Sequence, residues 1–331
     1  MTIDLKTVSI KPLRSTFTHV AAHIGGDKPA SRYQEATLGV QSTGNYHYRP
    51  TWDPDHQIFD ATRTAIRMKD WYAFKDPRQF YYGNWTMTRA RQQDTMEANF
   101  EFVESRGLLS FLPEDVRRDA LDLLLPLRHV AAGANMNNSS ICAYGYGTGI
   151  TAPCMFQAMD QLGIAQYLTR LGLLIADPDV LDEAKESWLK DAQWQELRRY
   201  VEDTFVLQDW FELFVAQNLV LDGLLFPLVY GDIVDGDFAA RNGSAVAMLT
   251  AFMTEWSDET SKWVDAQVKA AVADSPENKA LVSGWTNAWR DRATAALIPL
   301  AGRILGNKAQ ATTDEVTAQF NSRCAKLGLA L

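Results

Sequence analysis

A chain of 331 residues that is 47% hydrophobic and 11% aromatic, with ten Trp, has material for one large core or two modest domains, and for burial against a permanent partner. A net charge of −9 without any Lys/Arg cluster excludes a nucleic-acid surface. Met1 to Pro12 lacks the apolar run of a signal peptide, and the most apolar stretch, Leu219 to Tyr230, is too short for a bilayer and carries Asp222 and Pro227. Cys142, Cys154 and Cys324 match neither a zinc site nor a disulfide framework, so the expectation is a soluble, cytoplasmic protein with no membrane contact.

Residues 1–50 are punctuated by Gly25, Gly26, Pro29, Gly39, Gly44 and Pro50 and hold no sustained period, which predicts an extended N-terminal arm that is either disordered or packed along a partner subunit. Residues 51–331 read as a single helical domain. Asp53-Pro54 starts a helix running to about Lys69, and Asp76-Pro77 opens a longer one, with Phe80, Tyr81, Trp85, Met96, Phe100 and Val103, that stops near Gly107. A third helix starts at Pro113-Glu114, runs through Val130 and holds His129 in its second half.

From Val130 to Met159 there is no Asp, Glu, Lys or Arg, although Asn, Ser, Thr and Gly are plentiful, as expected of a segment packed on both sides. Gly145, Gly147 and Gly149 make a close turn between two buried helices. No strand precedes them, so they are not a nucleotide loop. The second helix is apolar nearly all round until Asp177-Pro178 and should be central. Asp182 to Gly223 reads as one or two long amphipathic helices, and Gly231, Gly236 and Gly243 mark turns. Ala245 to about Ala273 is helical, a helix pair covers Asn278 to Leu305, and a short tail helix covers Thr313 to Leu327. The fold class is therefore all-α.

Two stretches carry candidate chemistry. Glu259-Thr260-Ser261-Lys262 is one residue short of Glu-x-x-His, the half-site that sets a carboxylate and an imidazole on one helix face in di-iron bundles. Pro126-Leu127-Arg128-His129 keeps the histidine and lacks the glutamate. A protonated lysine has no lone pair to give a metal, and proline has no side-chain donor. Other groupings lack partners: His19 with His23 and Asp55-His56 lie in or beside the arm, and Ser139-Ser140 has no strand–turn–helix elbow or local base. The residues alone leave two readings open. One is a bundle that kept its frame without its metal, and the other is a free-standing helical enzyme using His129 and Glu259 as an acid–base pair or an altered single-metal site.

The order of helices, the segment Trp71-Tyr72-Ala73-Phe74-Lys75-Asp76-Pro77-Arg78-Gln79-Phe80-Tyr81-Tyr82 and the segment Trp256-Ser257-Asp258-Glu259-Thr260 resemble the β subunit of the hydroxylase of bacterial multicomponent monooxygenases, with phenol hydroxylase the nearest kin. The likeness covers essentially the whole chain. It implies a ferritin-like, ribonucleotide-reductase-like bundle with extra helices and no metal site of its own. It further implies a dimer of αβγ trimers with the di-iron centre in α, the arm wrapped on α, a docking effector protein, and a separate reductase carrying FAD and an iron–sulfur cluster that passes electrons from NADH. Phenol would become catechol in another chain. Measured against the α pattern, Pro126 to His129 and Glu259 to Lys262 are its degenerate Glu-x-x-His pairs, and the single carboxylates fall near Glu97 and Asp222. Together these groups would make a buried ion-pair network, with Lys262 paired to a carboxylate or reaching solvent.

Overall fold

The computed structural model describes residues 18–26, 28–38 and 49–331, and the described residues form helices and turns without a strand. Two short helices come first, α1 (Thr18–Ile24) and α2 (Arg32–Leu38). Then come α3 (Tyr82–Ser105), α4 (Glu114–Leu124), α5 (Leu127–Tyr144), α6 (Thr148–Ile175), α7 (Val180–Lys190), α8 (Ala192–Thr204), α9 (Trp210–Phe238), α10 (Ser244–Asp274), α11 (Pro276–Leu305) and α12 (Ala309–Lys326).

Four helices make the centre: α5 packs along α6 and against the start of α9, and α10 closes the ring by packing on both α6 and α9. The α5–α6 hairpin is the most extensive helix pair and turns at the glycines that the sequence singles out. Gly147 sits at φ +96°, and a Cβ on Gly149 would lie 2.1 Å from the Phe74 carbonyl oxygen, so neither position suits a side chain. Helix α9 is the most enclosed. It is long and apolar enough to cross a membrane by composition, yet 89% of its most apolar window is buried inside the protein. Asp209 starts it by accepting hydrogen bonds from the Phe211 and Glu212 amides. Around the ring, α3 lies against α10, while α8 and α12 pack on α11.

Several expectations give way. The described part of residues 1–50 carries the two short helices α1 and α2, and the remainder of the expected arm lies outside the described residues. Residues 53–69 form no α-helix, only the short 3-10 turn Ala61–Arg63. Their amides bond to distant side chains instead: Ala65 N to Asp209 Oδ2 (2.6 Å), Arg67 N to Asn278 Oδ1 (3.1 Å) and Lys69 N to Asp274 Oδ1 (3.1 Å). Asp76 does not open α3, because its carboxylate caps the Arg78 amide (2.9 Å) and Gln79 turns the chain at φ +55°, delaying the helix to Tyr82.

The third helix breaks after Leu124, where Pro126 lacks the N–H that would continue it, and a new helix starts at Leu127. Helix α6 is buried through Ile164, Leu168 and Leu171, but Leu162 and Leu173 are exposed, so it is not apolar-packed all round. The segment from Asp182 splits between α7, α8 and α9. Gly231 and Gly236 make no turns, since Val215–Leu221 and Pro227–Phe238 continue α9 as wide π-helix. The expected helix pair after Asn278 is one helix, α11, with Pro299 inside it.

Candidate functional site

The four central helices each turn polar side chains inward, and these form a hydrogen-bonded ladder. Asn218 (α9) donates from Nδ2 to Asn138 Oδ1 (α5) at 3.0 Å, Gln157 (α6) donates from Nε2 to Asn218 Oδ1 at 3.4 Å, and Thr260 (α10) donates from its hydroxyl to Gln157 Oε1 at 3.1 Å. All four residues are buried. A second ladder lies beside it. Asn137 donates to Thr204 Oγ1 (2.8 Å) and Gln217 Oε1 (2.9 Å), and Gln217 donates to Asp222 Oδ1 (2.9 Å). Neighbouring residues on α5 and on the π-helical part of α9 thus serve both ladders. Buried amides left unpaired would cost on the order of 1–3 kcal/mol each, and the ladders meet that requirement within the chain.

At the rim of the first ladder stands a charged group. Arg89 (α3) makes two parallel bonds to Asp160 (α6), Nε to Oδ1 at 2.8 Å and Nη2 to Oδ2 at 2.7 Å. It also reaches Glu259 (α10), with Nη2 to Oε1 at 2.8 Å and Nη1 to Oε2 at 3.1 Å. The Trp85 and Trp256 indoles donate to Asp160 at 3.2 and 3.0 Å. Arg78 pairs with Asp76 (2.9 Å) and extends toward Glu259 and Thr260 at 3.5 Å. Burial works against charge on Arg89, but the bonds to Asp160 and Glu259 outweigh it and raise its pKa. For Asp160, burial pushes the carboxyl up, while Arg89 and the Trp256 N–H pull it down.

The sequence-derived candidates fare unevenly. Glu259 belongs to the charged group. Lys262 does not: it is exposed and makes no ion pair among the described residues, so of its two expected fates it takes solvent. Pro126 is buried at the start of α5. His129, one turn on, stacks against Trp188 with ring centroids 5.7 Å apart, and burial with nearby Arg128 and Lys185 lowers its pKa to about 4. It shares no partner with Glu259, so the acid–base pair is not assembled. Glu97 pairs on the surface with Arg170 at 2.8 Å, whereas Asp222 is buried, has Oδ2 unpartnered and has its pKa raised by burial to about 7. A buried network exists, then, but its cations are Arg78 and Arg89 rather than His129 and Lys262. His56 pairs with Asp53 at 2.9 Å and His23 lies against Tyr72, away from the centre.

The true inward positions were missed because amides do not resemble ligands. Their pattern is nonetheless that of a di-iron bundle: one polar residue from each of two helices, Asn138 and Asn218, and an i, i+3 pair on α6, Gln157 and Asp160, with Trp256 and Glu259 spaced alike on α10. Their chemistry does not fit two irons. Neutral amides are poor ligands for such ions, the two carboxylates are bound to a guanidinium, and no histidine joins them. Among the described residues there is no group of three or more His, Cys, Asp or Glu that could hold a metal.

A ring of four helices with two single and two paired inward polar positions is the arrangement of a ferritin-like bundle. Comparison with known proteins names the group within it. Residues 52–275 match the model of the methane/phenol/alkene hydroxylase family, and the chain belongs to that family. It is 49% identical to an oxygenase component of phenol 2-monooxygenase from Pseudomonas sp. (strain CF600), over 99% of this chain and 98% of that one. It is 43% identical to the corresponding component from Acinetobacter pittii (strain PHEA-2), with the same coverage. The hydroxylase β subunit of toluene-4-monooxygenase from Ectopseudomonas mendocina is 25% identical over 96% of this chain and 97% of its own length. Among solved structures, phenol hydroxylase from Pseudomonas sp. OX1 superposes with a TM-score of 0.90 at 43% identity, covering 99% of both chains.

Proposed function

We propose that this chain is the non-catalytic β subunit of the hydroxylase of a phenol monooxygenase. The observation that carries this reading is the centre of the bundle, where Asn138, Gln157, Asn218 and Thr260 bond to one another and Asp160 and Glu259 bond to Arg89. A side-chain set of this kind is closed on itself and offers no open metal position. The names of relatives, an oxygenase component and a hydroxylase subunit β, support membership of a multi-subunit hydroxylase.

In this reading the di-iron centre resides in an α partner and a γ chain completes a dimer of αβγ trimers in the cytoplasm. A separate reductase with FAD and an iron–sulfur cluster delivers electrons from NADH, an effector protein docks on the assembly, and phenol is converted to catechol with O2. Residues 1–50 pack on the partner. This chain's part is to supply a rigid helical surface on which α is held.

The test is co-expression with α and γ followed by mass and metal measurement. The chain alone should carry no stoichiometric iron and no hydroxylase activity, and it should co-purify with α in a large complex. Two irons per chain in the isolated protein, or phenol hydroxylation by it with reductase, would overturn the reading.

A further inference from the structure

The α5–α6 hairpin belongs to the central ring, yet its outer face is apolar and bare. Met155, Met159, Leu162 and Leu173 recur along α6 at helical spacing and are 40 to 49% exposed. Met136 (52% exposed) lies at the same level of α5, since Asn135 beside it donates to the Ala158 carbonyl at 2.7 Å. Phe205 carries the patch across α5, its ring lying 3.5 Å from where a Cβ on Gly133 would stand. Exposed apolar side chain on the order of 500 Å² is at the upper end for a monomer and marks a protein interface. The α6 stripe is a ridge between two grooves: one of about 460 Å³ toward α3, with Trp85 and Tyr167, and one of about 560 Å³ toward α5, with His129 and Leu174. Such a surface accepts a pair of helices by packing ridges into grooves. Charge on it is one-sided. No Asp, Glu, Lys or Arg occurs from Val130 to Met159, and at the other end Arg170 pairs with Glu97 and Glu104. Arg128 donates to the Leu181 carbonyl and feels Asp182, but forms no ion pair among the described residues. A second copy of this chain would not supply one: a two-fold axis along the hairpin sets Arg128 against Arg128, and one across it sets Arg128 over the Met155 end, where neither helix carries a carboxylate.

We propose that the outer face of the α5–α6 hairpin is where the α subunit docks, taking a pair of α helices into its two grooves and a carboxylate of α at Arg128. The inference rests on the reading of this chain as the β subunit and deepens it by naming the contact. The three methionines suit the task, because their unbranched side chains adapt to a partner's relief. A charge placed in the middle of the face stays in water in the free chain and is buried without a partner on docking, so it penalises the complex alone.

The experiment measures binding of tagged cognate α by the full-length wild-type chain and by Leu162→Lys, Met159→Glu and Arg128→Glu. Ala318→Lys, at an exposed position of α12 away from this face, is the control. The three face variants should keep the wild-type melting temperature and bind α at least about tenfold more weakly, and the control should bind as wild type does. Without any substitution, hydrogen peroxide should oxidise Met136, Met155 and Met159 in the free chain, and the complex with α should protect them, as read by mass spectrometry. Face variants that fold and bind α as tightly as wild type, or methionines oxidised equally in the free and complexed chain, would overturn the proposal. So would self-association of the chain that Leu162→Lys abolishes, which would give the face to a second copy. A wild-type chain that binds no α at all would instead overturn the subunit reading, so the two failures are distinguishable.

Discussion

Asp160 receives its four donors from two helices: two guanidinium nitrogens of Arg89 and the Trp85 indole on α3, and the Trp256 indole on α10. Its carboxylate therefore ties α6 to both neighbours, and the two indoles and Arg89 Nε lose their acceptor if the oxygens are removed, while Arg89 Nη2 keeps Glu259. Asp160→Ala should destabilise the chain by about 3–5 kcal/mol, the cost of breaking a buried ion pair from one side. Asp160→Asn, which still accepts one bond, should cost less. Urea denaturation monitored by Trp fluorescence checks the order; equal and small losses would show that the cluster is not structural.

Gly149→Ala should be among the most damaging single methyl additions in the chain. The new Cβ would meet the Phe74 backbone 2.1 Å away, and Trp263 Nε1 donates to the Gly149 carbonyl at 3.2 Å, so the backbone is held from two sides. A loss of roughly 2–4 kcal/mol is expected from overpacking at a site that cannot yield. Comparison of the urea midpoint with that of Gly163→Ala, where a Cβ meets nothing within 4 Å, isolates the effect.

Asp222 makes stability depend on pH. Its folded pKa of about 7 lies above the ordinary aspartate value of 3.8, so the folded chain holds a proton that the unfolded chain has released between those values. Stability from this group is full below about pH 4, falls as pH rises from there through 7 and is then level, a loss on the order of 4 kcal/mol. Asp222→Asn keeps the acceptor for Gln217 and carries no charge, so it should be more stable than wild type at pH 8 and nearly equal at pH 4. His129, with a lowered pKa, works in the opposite sense and costs stability as pH falls from its ordinary range to about 4. Melting curves of wild type and Asp222→Asn from pH 4 to 9 would show the difference, and parallel profiles would refute it.

Lys262→His completes the Glu-x-x-His sequence that begins at Glu259, yet it should create no metal site. Lys262 is exposed while Glu259 is engaged by Arg89 and Arg78, so the imidazole would face solvent. Co(II) binding by the variant should equal that of wild type. Stoichiometric uptake would show that positions 259 and 262 share one inward face after all.

The long, amphipathic parts of the fold were legible. The span of α10, the end of α3 near Gly107 and the glycine hairpin follow from periodicity and from residues that permit close turns. What was not legible depends on contacts far away in sequence. Residues 53–69 carry a plausible helix start, but their amides are claimed by Asp209, Asp274 and Asn278. The candidate site was displaced for a related reason. A search for Glu-x-x-His lands on Pro126 to His129, whereas the helix that turns an i, i+3 polar pair to the centre is α6. The signal was present in another form: the uncharged stretch from Val130 to Met159 contains Asn137, Asn138 and Gln157, three of the residues that build the ladders.

A centre made of amides, hydroxyl and internal ion pairs draws its bonds from the polypeptide. If this chain is the iron-free subunit, its folding awaits no loading step, and a cell short of iron would still accumulate it in its final shape, ready for a partner that holds the metal.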